Sequence, residues 1–206
     1  MKIKKLIYAV VILMFCTGIA TATPLNGGFE TGDLTGWSIF SLTGDVTVDV
    51  EVTAADGTIY TATEGEYFAL LQGTSIMWQG VSWEAGSVLS FDWAFLAGDE
   101  LPNDDIAFSV IVNGTHDIIP LASVADVGDY GDTGWQAYVS DPFVDSGEGY
   151  IVFSVADRGA CNTFCNMSTL LVDNIAAAPV PEPTTMLLSA LGLIGFGGWS
   201  LRKKKK

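Results

Sequence analysis

Residues 45–52, DVTVDVEV, alternate without exception. Val46, Val48, Val50 and Val52 fall on one side, and Asp45, Thr47, Asp49 and Glu51 on the other. Side chains two apart share a face only in extended backbone, so the segment predicts a strand with one wet face. Similar short stretches recur, and long helical periodicity is absent between residues 25 and 178. Further strands are predicted at 36–41, 67–72, 75–82, 87–96, 105–113, 116–122, 135–140, 149–156 and 169–175. Turn-forming clusters separate them, among them ADGT, TEGE, EAGS, VNGT, GDYGDTG and DSGEG. Many short strands at this spacing predict an all-β sandwich or barrel. We read one domain over about residues 25–178, with outer bounds at 23–178 and no internal repeat or linker.

The charge is segregated. Nine basic residues stand against 24 acidic ones, but eight of the basic residues lie at the two ends. Residues 23–180 hold 23 acidic side chains and only Arg158 as a cation. Such a domain repels phosphate backbones, which excludes nucleic acid as a partner. Carboxylate oxygens suit hard divalent cations such as Ca²⁺.

The N-terminus has the order of a secretory signal. Lys2, Lys4 and Lys5 precede the apolar run Leu6 to Phe15, and Ala20-Thr21-Ala22 offers a small-x-small cleavage site. We place a signal peptide over residues 1–22, removed by signal peptidase after Ala22. Cys16 leaves with it. Cys161 and Cys165 remain, and a disulfide closing the loop CNTFC is expected in an exported chain; two free thiols or a metal pair are the alternatives.

The opening LNGGFETGDLTGWS, the internal TATEGEYFALLQG and the closing STLLVDNI resemble segments of exported β-sandwich proteins and jelly-roll carbohydrate-binding modules. They bracket nearly the whole domain, so the resemblance implies a galactose-binding-like jelly-roll β-sandwich. It also implies a structural Ca²⁺ held by Glu30 and Asp173, with the first and last strands side by side. The alternative is that Glu30 caps a turn and Asp173 accepts backbone amides. A second acidic group, Asp99, Glu100, Asp104 and Asp105, is read as a solvated loop, since it lacks the spacing of an EF-hand.

Catalytic signatures are weak. His116 is the single histidine, and neither a nucleophile elbow nor a phosphate-cradling loop with lysine occurs. The acidic residues single out no glycosidase pair. We read a non-enzymatic protein, with a glycoside-active enzyme as the third reading. The aromatic residues carry more. Trp37 and Trp93 are assigned to the core, Trp93 by its parity with Phe91 and Phe95. Trp78 and Trp83 flank QGVS and are the candidates for an exposed sugar-stacking face, with core packing as the alternative.

The C-terminus resembles the PEP-CTERM sorting signal of Gram-negative bacteria. Pro181-Glu182-Pro183 is followed by a hydrophobic stretch over residues 184–201 and by Arg202, Lys203, Lys204, Lys205 and Lys206. Met186 to Leu201 would span about 24 Å as a helix, at ~1.5 Å per residue. The basic cluster holds the end in the cytoplasm, so the domain faces outward. The resemblance implies a transient inner-membrane anchor, cleavage by an exosortase near Pro-Glu-Pro, and delivery to the cell surface or extracellular matrix. The whole chain then reads as an exported surface or matrix protein that associates with exopolysaccharide. A purely structural matrix protein is the alternative.

Overall fold

The structure is a computed structural model that describes residues 24–112, 116–158 and 167–179. The signal segment, Cys161 and Cys165, the Pro-Glu-Pro motif, the hydrophobic stretch and the basic cluster all lie outside the described residues.

Among the described residues twelve strands form three antiparallel sheets. They are β1 (Ser38–Ser41), β2 (Val46–Asp49), β3 (Glu51–Thr53), β4 (Ile59–Thr61), β5 (Phe68–Gln72), β6 (Ser75–Trp83), β7 (Ser87–Leu96), β8 (Ile106–Val112), β9 (His116–Ser123), β10 (Gln136–Val139), β11 (Gly147–Ala156) and β12 (Thr169–Pro179). One five-stranded sheet has the order β1-β6-β11-β8-β9, the other β10-β7-β12-β5-β2. We call them the front and back sheets. A short helix, α1 (Val124–Val127), follows β9.

The two large sheets face each other across a core set by the two-residue period. On β6, Met77, Val81 and Trp83 point inward; on β11, Ile151, Phe153 and Val155 do so. The back sheet supplies Leu71, Leu89, Phe91, Phe95, Leu170 and Val172. Aromatic rings run through this core in a chain. Phe29 meets Trp37 at 5.7 Å, Trp37 meets Phe153 at 6.2 Å, Phe153 meets Phe91 edge-on at 4.9 Å, and Phe91 stacks on Tyr138 at 4.8 Å. The assignments of Trp37 and Trp93 to the interior hold: Trp37 is buried, and the half-buried Trp93 packs against the same cluster.

The alternating segment at 45–52 does not make one strand. It breaks at Val50, which is exposed. Val46 and Val48 pack on the main core, whereas Val52 joins a second cluster with Tyr60, Phe68, Leu70, Ala94, Leu96, Leu171 and Trp135. The cause is the hairpin β3–β4, turned at Ala54–Thr58, which folds over the outside of the back sheet. Asp56 fixes the turn by accepting from the Thr58 amide at 2.7 Å and its hydroxyl at 2.8 Å. These bonds hold the exposed Asp56 carboxyl below its ordinary range. Trp135 closes the cover, donating its indole N–H to the Thr61 carbonyl at 3.0 Å and meeting Phe68 edge-on at 5.9 Å. The outside of the back sheet is thereby dry around Phe68 and Leu171, whereas Val139 on β10 stays 62 % exposed.

Candidate functional site

The first turn of the domain and the last strand are laced by carboxylates. Ile175 donates its amide to the Gly27 carbonyl at 3.0 Å. Two residues before Ile175, Asp173 is fully buried on the outward side of β12. Its Oδ2 accepts from the Thr63 amide at 2.7 Å, the Thr63 hydroxyl at 2.9 Å and the Glu64 amide at 3.2 Å. Its Oδ1 accepts from the Asn174 amide at 2.7 Å. Glu30 grips the other half of the same loop: its Oε1 accepts from the amides of Glu66 and Tyr67, both at 3.0 Å. The two residues named for calcium therefore converge on one segment, Thr63–Tyr67.

As hard carboxylate oxygens they fit calcium in donor type. In number they fall short of the ~6–8 oxygens the ion takes. Among the described residues no group of three or more His, Cys, Asp or Glu side chains is arranged to hold a metal. Each carboxylate is engaged by backbone amides, the turn-capping arrangement named as the alternative. A further carboxylate, Asp92, lies directly across from Asp173 on β7. Opposed like charges on neighbouring strands are unfavourable. The Thr63 hydroxyl, 2.8 Å from Asp92 Oδ2, and the Asn174 side-chain amide at 3.2 Å soften the pair.

The acidic segment at 99–105 differs from a solvated loop at its end. Asp105 is 1 % exposed. It accepts from the Arg158 amide at 2.8 Å and the Ser168 hydroxyl at 2.7 Å. Asp104 accepts from the Ala125 amide at 2.9 Å, at the start of α1. These two carboxylates are structural ties.

The front sheet's outer face is different in kind. Even-numbered residues of β6 point outward, so Ile76, Trp78, Gly80 and Ser82 share that face. Trp83 has the opposite parity. It is 8 % exposed, stacks on Phe143 at 4.6 Å and donates its indole N–H to the Asp145 carbonyl at 3.1 Å. Its expected place on an exposed face is therefore corrected: an odd five-residue step along a strand sends the two tryptophans to opposite sides.

Trp78 is half-buried and faces out, opposite Ser38 on β1 and Val152 on β11. The indole N–H groups of Trp37, Trp83 and Trp135 are bonded to backbone carbonyls. Those of Trp78 and Trp93, both half-buried, have no such partner among the described residues, and of the two Trp93 packs on the core cluster while Trp78 faces outward. One pair further along, Tyr150, 51 % exposed, lies opposite Gly80, and beyond it Glu148 lies opposite Ser82. Gly80, Ser82, Glu148 and Tyr150 line an open groove of about 510 Å³. That volume falls in the ~300–1,000 Å³ range of small-ligand sites. Sequence reasoning missed Tyr150, Glu148 and Gly80, because only the strand register brings β11 beside β6. The remainder of the face is apolar, with Phe40 at 59 % and Ile118 at 67 % exposure.

This architecture is the β-sandwich of carbohydrate-binding modules. The structure is similar to that of a family 61 module, TmCBM61, in complex with β-1,4-galactotriose: TM-score 0.51, 20 % identity, covering 77 % of this chain and 99 % of that one. A family 16 carbohydrate-binding module matches with TM-score 0.45 and 14 % identity over 75 % of this chain and 98 % of that one. The K3 cleaved adhesin domain of Lys-gingipain from Porphyromonas gingivalis matches with TM-score 0.42 and 13 % identity, over 77 % of this chain and 100 % of that one. Residues 179–204 match the PEP-CTERM protein-sorting motif, so the chain carries the address of an exported protein. No curated protein matches the sequence. Among the described residues no helix is long and apolar enough to cross a membrane.

The lacing generates a stability prediction. Asp173→Asn keeps the shape but turns an N–H₂ toward donors at one oxygen position, and should cost ~1–3 kcal/mol in chemical denaturation. Burial raises the Asp173 carboxyl above its ordinary range, against the bonds from Glu64, Thr63 and Asn174. A carboxyl with a raised folded-state value takes up protons on folding, so its contribution grows as pH falls through that value towards 3.8. The wild-type melting midpoint should thus gain more than that of Asp173→Asn as pH falls from 7 to 3.8; equal gains would remove Asp173 as the source.

Proposed function

We propose that this is an exported, non-enzymatic protein that associates with extracellular polysaccharide through the outer face of its front sheet, centred on Trp78. The observation that carries the reading is the setting of Trp78: outward, half-buried, with no backbone carbonyl on its N–H, and two residues along β6 from Gly80, which lines an open polar groove. Aromatic faces stack on the C–H surfaces of sugar rings, while hydroxyls and carboxylates take the sugar O–H groups. Ser82, Glu148 and Tyr150 supply those groups. The fold shared with the galactotriose-bound family 61 module supports a carbohydrate ligand in class. In affinity electrophoresis through polysaccharide gels, Trp78→Ala should lose ~10-fold in retardation. Retardation equal to the wild type removes Trp78 from the face.

A second reading is a structural matrix protein without a sugar site. It is favoured by the apolar rest of the face, where Phe40, Ile76, Phe108, Val110 and Ile118 present little that bonds to a hydroxyl. Absence of retardation by any polysaccharide supports that reading over the first.

We infer the path of export from the two ends. Signal peptidase removes residues 1–22. The tail holds an outward-facing precursor in the inner membrane, an exosortase cuts near Pro181-Glu182-Pro183, and the domain passes to the cell surface or matrix. Mass spectrometry of the exported protein checks this: a mature form ending in Arg202–Lys206 rules out processing. Calcium at Glu30 and Asp173 is also proposed, supported by their convergence on one loop. EDTA should then lower the melting midpoint of the wild type; an unchanged midpoint assigns both carboxylates to amide capping alone.

A further inference from the structure

Glycine is a poor strand residue. It offers nothing to pack and loses more backbone freedom on folding than any other residue. The described strands around the groove contain three, and close neighbours account for two. A Cβ on Gly149 would lie 1.8 Å from the Val112 carbonyl oxygen, and one on Gly147 would lie 3.1 Å from the Trp83 ring. Gly80 has no such reason. It sits within β6 with ordinary backbone angles, and a Cβ there would meet the Gly149 oxygen and Tyr150 Cε1 only at 3.8 Å, an ordinary contact. The fold would accept a side chain at this position. What a side chain would fill is the groove itself. A glycine inside a strand that needs none marks a surface something else approaches.

The groove also has a sign. Glu148 stands at its edge, and residues 23–180 carry 23 carboxylates against one arginine. Among the described residues the carboxylate of Glu148 and the hydroxyls of Ser82 and Tyr150 have no hydrogen-bond partner on the protein. They can accept from, or donate to, a neutral hydroxyl. A uronate or sulfate brought to the same place would meet like charge, with no lysine or arginine among the described residues of this face to offset it.

We propose that Gly80 is glycine to leave room for one ring of an uncharged glycan, seated between Trp78 on one side and Ser82 and Glu148 on the other. This rests on the polysaccharide-binding reading above and specifies its ligand class. The test compares wild type, Gly80→Val and Trp78→Ala as full-length protein, in gels containing uncharged galactan, glucan or xylan, or anionic polygalacturonate or alginate. Melting midpoints are measured on the same samples. The wild type should be retarded by at least one uncharged polymer, to the same degree at low and high salt, and not by the anionic ones. Gly80→Val should melt at or above the wild-type midpoint, since valine favours strands, yet lose about 10-fold or more in retardation. Gly80→Ala, which fits without displacing a neighbour, controls for any strain from the larger side chain.

The outcomes separate cleanly. If Gly80→Val and Gly80→Ala fold and bind like the wild type while Trp78→Ala does not, the role of Gly80 is overturned and the polysaccharide reading stands. Preference for an anionic polymer overturns the ligand class. Absence of binding to all five polymers overturns this inference together with the reading it rests on.

Discussion

The sandwich depends on how its two ends are tied together. The Gly27 carbonyl takes the Ile175 amide, and the backbones pass so close there that a Cβ on Gly27 would lie 2.1 Å from the Ile175 oxygen. Around this contact, Glu30 and Asp173 divide the amides of one loop between them. Phe29, next to Glu30, has a left-handed φ of 57°. Such a conformation costs ~1–3 kcal/mol in a bulky residue and persists only where its surroundings over-determine it. Here they do: its ring is fully buried against Trp37 at the head of the aromatic chain. The short opening motif thus sets the core, the loop and the last strand at once.

The acidity of the domain has two structural uses besides solvation. Carboxylates, buried or half-buried except for the exposed Glu30, replace missing secondary structure at the sheet ends. Asp105 ties Arg158 to Ser168, Asp173 and Glu30 tie the loop at Thr63–Tyr67, and Asp132 takes the Tyr60 hydroxyl under the covering hairpin. Burial, with Asp132 beside it, pushes the Tyr60 hydroxyl well above its ordinary range, so it stays a neutral donor. Backbone amides that bond the charged form stabilise a carboxylate with no lysine or arginine beside it. That explains how a domain with one arginine is stitched together without ion pairs at these points.

Much of this was legible in the chain. Strand positions followed from alternation and turn residues, because both are local. Where contacts between distant segments decide, the sequence was silent. Nothing in DVTVDVEV says that the chain turns over at Val50; that depends on an apolar outer face of the back sheet around Phe68 and Leu171 which needs cover. Strand β4 was missed for the same reason, since three residues carry no period. Trp83 is a different case. Its parity relative to Trp78 was available, and counting along β6 would have sent it inward. Tyr150 and Glu148 needed the register between β6 and β11, which is a property of the folded sheet.

The hairpin β3–β4 has a consequence for how many partners one molecule can hold. It covers the part of the back sheet around Phe68 and Leu171, and among the described residues no such hairpin lies over the front sheet. On the polysaccharide reading, such a domain is monovalent. A population of them coats a polymer strand side by side but does not join one strand to another. Cross-linking would require a second attachment through some other part of the chain. On that reading, the covering hairpin leaves the domain a decoration of a polymer rather than a rivet within it.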